Sequence, residues 1–351
     1  MYRLLTVGII LTLVLPVFPA TRYVDYPELT VINRADASGS SLSRLDVTEF
    51  DSLPANVAKY GNHSTGVALM FSTNSPYIKA KWRTKHLSVG KNTSPLLQSG
   101  LDLYIRSDSA WIHAGVGLPS DSLEHKATLV DNMDSTAKDC LLYLPLWNDV
   151  ESLEIGVADS AFCNPIRPGF GKRMVIVGSS ITHGAAASRP GMAYPARLER
   201  ALNVECVNLG FSGLCKLEPF YADFITSTPA DLYVIDAFSN PSPEQIHSRL
   251  KPFVDRIRSM KPDVPLIFLQ TEIRETGNFD LKKRDFEYRK RMAAEQEMNR
   301  LINEGYRNIH FINPAMPLGD SHEMTVDGVH PSDAGFQLII EHLIPIIKQF
   351  L

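Results

Sequence analysis

From residue 173 to the C-terminus, short apolar runs rich in β-branched residues alternate with longer stretches of helical spacing, and that alternation leaves few architectures open. The short runs are Met174–Val177, Val204–Leu209, Asp231–Ala237, Pro265–Leu269 and Ile309–Ile312. Between them, Tyr194–Arg200, Glu244–Met260 and Phe286–Asn303 repeat apolar residues at helical intervals, and Ala334–Phe350 closes the chain. Strands that read as continuous apolar runs are buried on both faces. Repeated βα units therefore predict a parallel sheet covered by helices on both sides. In such a sheet, reactive groups collect at the carboxyl ends of the strands.

The preceding residues have a different texture. Thr65–Phe71, Tyr77–Arg83, Leu101–Arg106, Ala110–Ala114, Cys140–Leu144 and Glu151–Ile155 read as strands separated by Ser, Asn, Asp, Gly and Pro. In the second of these, Ile78, Ala80 and Trp82 alternate with Lys79, Lys81 and Arg83, the period of a sheet with one wet face. Residues 22–165 thus predict an all-β sandwich, jelly-roll-like. The Pro/Gly stretch Asn164–Gly171 predicts a linker, and residues 170–351 the α/β domain. Residues 1–20 carry Arg3 near their start, continue through an apolar core interrupted by Pro16 and end in Ala20, which predicts a cleaved signal peptide and a secreted or periplasmic protein. Beyond that segment no stretch reads as a membrane span.

With 351 residues, a formal net charge of -4 and 21% charged residues, the chain shows no electrostatic footprint for nucleic acid. Its four cysteines, Cys140, Cys163, Cys206 and Cys215, allow three disulfide pairings, and Cys206 equally suits a buried apolar position in a strand. No Cys-x-x-Cys pair occurs, so neither a zinc site nor a thiol redox centre is indicated.

The first strand of the α/β part runs into Gly178-Ser-Ser-Ile-Thr-His-Gly184, a tight turn carrying two serines. Near the C-terminus, Asp327-Gly-Val-His-Pro331 places a carboxylate where it can accept an imidazole Nδ1 proton and leave Nε2 free to deprotonate a hydroxyl. Asn208-Leu-Gly-Phe-Ser-Gly213 follows the second strand and Phe238-Ser-Asn-Pro241 the third. These blocks, in this order, resemble the SGNH (GDSL-type) hydrolase superfamily. Gly178–Thr182, Ser188–Pro195 and Asp327–Pro331 resemble its branch with an N-terminal β domain bearing Gly-x-Asp-Leu-Tyr, present here as Gly100-Leu-Asp-Leu-Tyr104.

The resemblance implies a flavodoxin-like hydrolase domain. It implies Ser180 as nucleophile, His330 as its base and Asp327 as the orienting carboxylate. It implies an oxyanion hole made by the backbone N–H groups of Ser180 and Gly213 and the side-chain amide of Asn240, with no cofactor or metal. Two departures stand out: Ser179 replaces the usual Asp of Gly-Asp-Ser, and Phe238-Ser-Asn-Pro241 replaces the usual Gly-x-Asn-Asp. The implied activity is hydrolysis of short-chain acyl esters through an acyl-enzyme, with O-acetyl groups on carbohydrate as the favoured substrate. A lipid or lysophospholipid esterase and a non-catalytic carbohydrate-binding protein are the alternatives. Of the other conspicuous residues, His183 reads as a turn histidine, His310 and His322 show no ligand spacing, and Trp82 and Trp111 read as sandwich core. Arg189 reads as a salt-bridge partner as readily as a contact for an anionic substrate.

Overall fold

The structure, a computed structural model, describes residues 20–36, 41–87, 92–272, 274–313 and 318–351. The expected signal segment lies outside the described residues apart from Ala20. Among the described residues no helix is long and apolar enough to cross a membrane.

Two antiparallel sheets come first. One orders β1 (Thr21–Asp25), β9 (Val150–Ala158), β4 (Ile78–Thr84) and β7 (Glu124–Val130). The other orders β10 (Cys163–Pro165), β3 (Ala68–Thr73), β8 (Lys138–Tyr143), β5 (Leu101–Ser107) and β6 (Ala110–Gly117), and β2 (Thr30–Ile32) pairs with β3. Ile78, Ala80 and Trp82 of β4 point inward and meet Leu69, Phe71, Leu101, Leu103 and Leu142 of the second sheet. The lysines between them stay wet, and Lys81 Nζ lies over the Tyr23 ring. This is a sandwich core, and Trp82 is part of it, with Nε1 donating to Ser99 O at 2.7 Å.

The second sheet is apolar on its other face as well, because it is covered there too. Ala68, Met70, Tyr104, Leu141 and Tyr143 form a second buried layer with Ala196 of helix α4 (Tyr194–Leu202). Trp111 packs at the margin of that layer.

The third sheet is parallel throughout, in the order β12 (Glu205–Gly210), β11 (Arg173–Gly178), β13 (Leu232–Asp236), β14 (Leu266–Leu269), β15 (Ile309–Ile312). Numbered within this part of the chain, that order is 2-1-3-4-5, the flavodoxin-like doubly wound arrangement. Successive residues of β11 serve opposite faces. Val175 and Val177 pack with α5 (Pro219–Ser227), α6 (Pro243–Met260) and α7 (Leu281–Asn303), whereas Met174 and Ile176 pack with α4 and α8 (Asp333–Ile347). All four cysteines are buried free thiols, and Cys206 sits in the second of these layers.

Candidate active site

Strand β11 ends at Gly178, and Ser179 caps the short helix α3 (Ser180–His183). The Ser179 hydroxyl is buried and accepts the Ile181 N–H at 3.4 Å, so it is committed to the turn. A Cβ on Gly178 would come within 2.0 Å of Thr182 Oγ1 and 2.8 Å of the Asp236 carbonyl oxygen, so the turn closes only without a side chain there. Ser180, the first helical residue, is left to face another partner.

That partner is His330, whose Nε2 lies 2.9 Å from Ser180 Oγ. On the far side of the ring, Nδ1 is 2.7 Å from Asp327 Oδ2. A carboxylate accepts only, so Nδ1 carries the proton and the Nε2 lone pair faces the serine hydroxyl. The loop holds itself in shape, since Asp327 Oδ1 accepts the N–H groups of Val329 at 3.1 Å and His330 at 2.9 Å. Burial opposes a charge on Asp327. The His330 N–H, the Asn92 amide and the His330 ring outweigh it and hold the carboxyl below the ordinary carboxylate range.

Asn92 belongs to the β part of the chain, and sequence reasoning missed it. Its Nδ2 donates to Asp327 Oδ2 at 2.9 Å, the same oxygen that binds His330. An asparagine in the polar run Lys91-Asn-Thr-Ser94 looks like any other loop residue, and no local signal marks it.

Gly213 lies in the exposed loop after β12 with φ 71°. The Asn240 amide donates to the Leu214 carbonyl at 2.5 Å, which ties the loop after β13 to the loop of Gly213. Among the described residues neither Gly213 nor Asn240 hydrogen-bonds to Ser180.

The remaining sequence candidates have structural partners. His183 is fully buried, its Nε2 donating to Leu146 O at 2.7 Å, its Nδ1 accepting from Ser212 N–H at 3.4 Å and its ring stacked on Trp147 at 3.9 Å. Burial first, then nearby Arg44, pushes its pKa well down, so the ring is neutral. Arg189 is held by Asp102 at 2.7 Å and by the Tyr104 hydroxyl. The same Asp102 accepts the Gly191 N–H at 2.8 Å. The Asp and Tyr of Gly100–Tyr104 are therefore the clasp that fastens the β sandwich to the loop beyond Ser180. His322 pairs with Glu275 at 2.8 Å, and the His310 ring packs on Phe350.

A cleft of about 250 Å³ opens beside His330. Lys59, His86, Asn92 and Trp147 line it from the β part, Ala185 and Ser212 from the α/β part. A larger cavity of about 380 Å³, between the Glu275–Gly277 turn and α7, contains none of the residues that the sequence singles out.

Comparisons with known proteins bear on the family and the fold. The model of the GDSL-like lipase/acylhydrolase family matches residues 171–348, and that of the GxDLY N-terminus of SGNH-hydrolase-type esterases matches residues 21–162. A Bacteroides ovatus protein described as a GDSL-like lipase is 41% identical over 94% of this chain and 98% of its own, with a TM-score of 0.92. A salicylyl-acyltransferase from a tetracycline biosynthetic pathway is 20% identical over 94% and 97%, with a TM-score of 0.74. A family two carbohydrate esterase from Clostridium thermocellum, solved with cellohexaose, is 14% identical over 82% and 94%, with a TM-score of 0.60. At those two identities the likeness is one of fold. No curated protein matches the chain. A serine and a histidine hydrogen-bonded across a doubly wound sheet, both family models and the Bacteroides ovatus relative lead to one assignment: the chain belongs to the GDSL-like lipase/acylhydrolase family of ester-hydrolysing enzymes, with the GxDLY N-terminal domain of SGNH-type esterases.

Proposed function

We propose that this protein is an exported serine esterase that removes short acyl groups, foremost acetyl, from carbohydrate hydroxyls. The observation that carries the reading is the continuous chain of hydrogen bonds Ser180–His330–Asp327. Ser180 Oγ attacks the ester carbonyl as His330 Nε2 takes its proton, and Asp327 stabilises the resulting imidazolium. The oxyanion is met by the backbone N–H groups of Ser180 and Gly213 and by the Asn240 amide, which leaves Leu214 O to do so. Each such donor contributes about 3 kcal/mol. The tetrahedral intermediate expels the alcohol, which takes the proton from His330. Water, deprotonated by the same histidine, then releases the acid from the acyl-serine.

Two features favour a carbohydrate as the alcohol. Trp147 lines the cleft with one face already backed by His183, so its other face is a fixed platform for a sugar ring. The fold is shared with the carbohydrate esterase of Clostridium thermocellum noted above. A lipid esterase is the rival, and the exposed Phe279, Leu281 and Tyr288 around the start of α7 are the observation on its side.

The test is a nitrophenyl ester series. Ser180→Ala abolishes acetate release by several orders of magnitude, while Ser179→Ala retains most of it. A dispensable Ser180 sinks the mechanism, and a higher kcat/KM for octanoate than for acetate moves the assignment to lipids.

A further inference from the structure

The cleft beside His330 is lined by one cation, Lys59, and by no carboxylate among the described residues, although the whole chain is net negative. Among the described residues lining it there is no aspartate or glutamate, whereas Lys59, His63, His86 and His330 all face it. Lys59 projects from α1 (Ala55–Asn62), and His86 follows β4. Both are exposed, and among the described residues the Lys59 ammonium has no ion-pair partner and the His86 ring no hydrogen bond.

The two side chains converge on a common wall. His63, fully buried, has both ring nitrogens without a hydrogen bond. Burial above all, and then the charges of Arg44, Lys59 and His86, push its pKa well down. The neighbouring carboxylates are already engaged. Asp149 lies 3.5 Å from Lys85 and 3.8 Å from His63, and Asp327 is turned towards His330 and Asn92. The Lys59 ammonium and the His86 ring thus both line a cleft the size of one sugar ring, and the carboxylate nearest His86, that of Asp149, is already engaged by Lys85.

We propose that this cleft selects esters whose alcohol carries a carboxylate, an acylated acidic sugar, with Lys59 and His86 holding that carboxylate while Trp147 supports the ring. The inference rests on the esterase reading and narrows its substrate class. The acyl group sits at Ser180 and the sugar extends across the face built by the β sandwich, so the charge belongs on the alcohol side of the ester.

The experiment compares an acetylated methyl glucuronide with the matching acetylated methyl glucoside, alongside a succinyl ester of the glucoside and nitrophenyl acetate, all with the full chain. The expected result is a kcat/KM about fivefold higher for the glucuronide at low salt, the size that one partly exposed charge pair can supply. The difference is carried by KM and fades in roughly 0.5 M salt, where screening acts within a few ångströms. Lys59→Met brings the ratio of the two sugars to near unity, and Lys59→Arg preserves it. Equal kcat/KM on both sugars, with nitrophenyl acetate still cleaved through Ser180, overturns the inference and leaves the esterase standing. A preference for the succinyl ester instead of the glucuronide places the charge on the acyl side and overturns it too. Failure to cleave any of the esters overturns the esterase reading and this inference with it.

Discussion

At the scale of single residues, the instructive one is Asn92. Asp327 and His330 are separated by two residues in a loop that folds on itself, but that spacing alone also fits a capped helix start, and only the order of the other blocks marks the pair out. Ser180 is legible in the same way, because its strand and turn taken alone fit a bland turn equally well and the resemblance of the ordered blocks singles it out. Asn92 joins Asp327 from 235 positions away in sequence, and no pattern local to either segment announces it. Its amide shares the oxygen that holds His330, so it fixes the carboxylate plane and favours the ionised form. A hydrogen bond to a charged group contributes about 1.5–3 kcal/mol. Asn92→Ala should therefore lower kcat by at least about tenfold while KM for a small ester changes little. Asn92→Asp should be worse than alanine, since a second carboxylate beside Asp327 raises the pKa of both. A kcat unchanged in both variants would show that the bond is incidental to turnover.

At the scale of elements, the parallel strands were readable and parts of the sandwich were not. Ile309–Ile312 is apolar but for His310, and the strand found there has the same ends. Strand β7, Glu-His-Lys-Ala-Thr-Leu-Val, escaped because it is an edge strand whose buried members His125 and Leu129 stand among charged and polar neighbours. Helix α5 escaped for the opposite reason: Tyr221, Ala222, Phe224 and Ile225 are all buried, and an apolar run has no amphipathic period to detect. Helix α4 reads easily as a helix, yet sequence does not reveal that its Glu199 is fully buried against the sandwich. Tyr143 OH donates to Glu199 Oε1 at 2.6 Å, and the Cys206 N–H donates to Oε2 at 3.2 Å. Burial pushes this carboxyl from 4.5 up to about 7, against the pull of these bonds and of nearby Arg200. A carboxyl whose folded pKa is raised binds more protons folded than unfolded between those two values, so stability falls as pH rises from 4.5 through 7. Glutamine is neutral throughout and can accept from Cys206 while donating to the Tyr143 oxygen. Glu199→Gln should then raise the melting temperature relative to wild type at about pH 8, and the advantage should shrink towards about pH 5. A pH-independent difference between the two proteins would mean that Glu199 is not the titrating group.

At the scale of the whole molecule, the question is whether the sandwich is a detachable module. Domains joined by a Pro/Gly linker move independently unless a large apolar interface prevents it. Here Met70, Tyr104, Leu141 and Tyr143 are buried against α4, and Leu97 and Leu146 enter the core beneath α8. Polar grips surround the active-site loops in addition. Arg44, fully buried, donates to the carbonyls of Asn208 at 3.0 Å and Gly210 at 2.7 Å and lies 4.4 Å from the centre of the Phe211 ring. Asp102 holds Arg189 and Gly191, Leu146 holds His183, and Asn92 holds Asp327. Removing the sandwich would expose that apolar layer to water and strip the loops around Ser180 and His330 of the donors and acceptors that hold them. A chain beginning near Phe170 should consequently be insoluble or inactive even on nitrophenyl acetate, a substrate too small to need the cleft's far wall. Because insolubility alone has many causes, the full chain supplies the sharper measurement. Its thermal unfolding should be one calorimetric transition whose calorimetric and van't Hoff enthalpies agree, the sign of a single cooperative unit. Two resolved transitions, with esterase activity surviving the first, would show that the α/β part holds its site unaided and that the sandwich serves only as a wall for substrate.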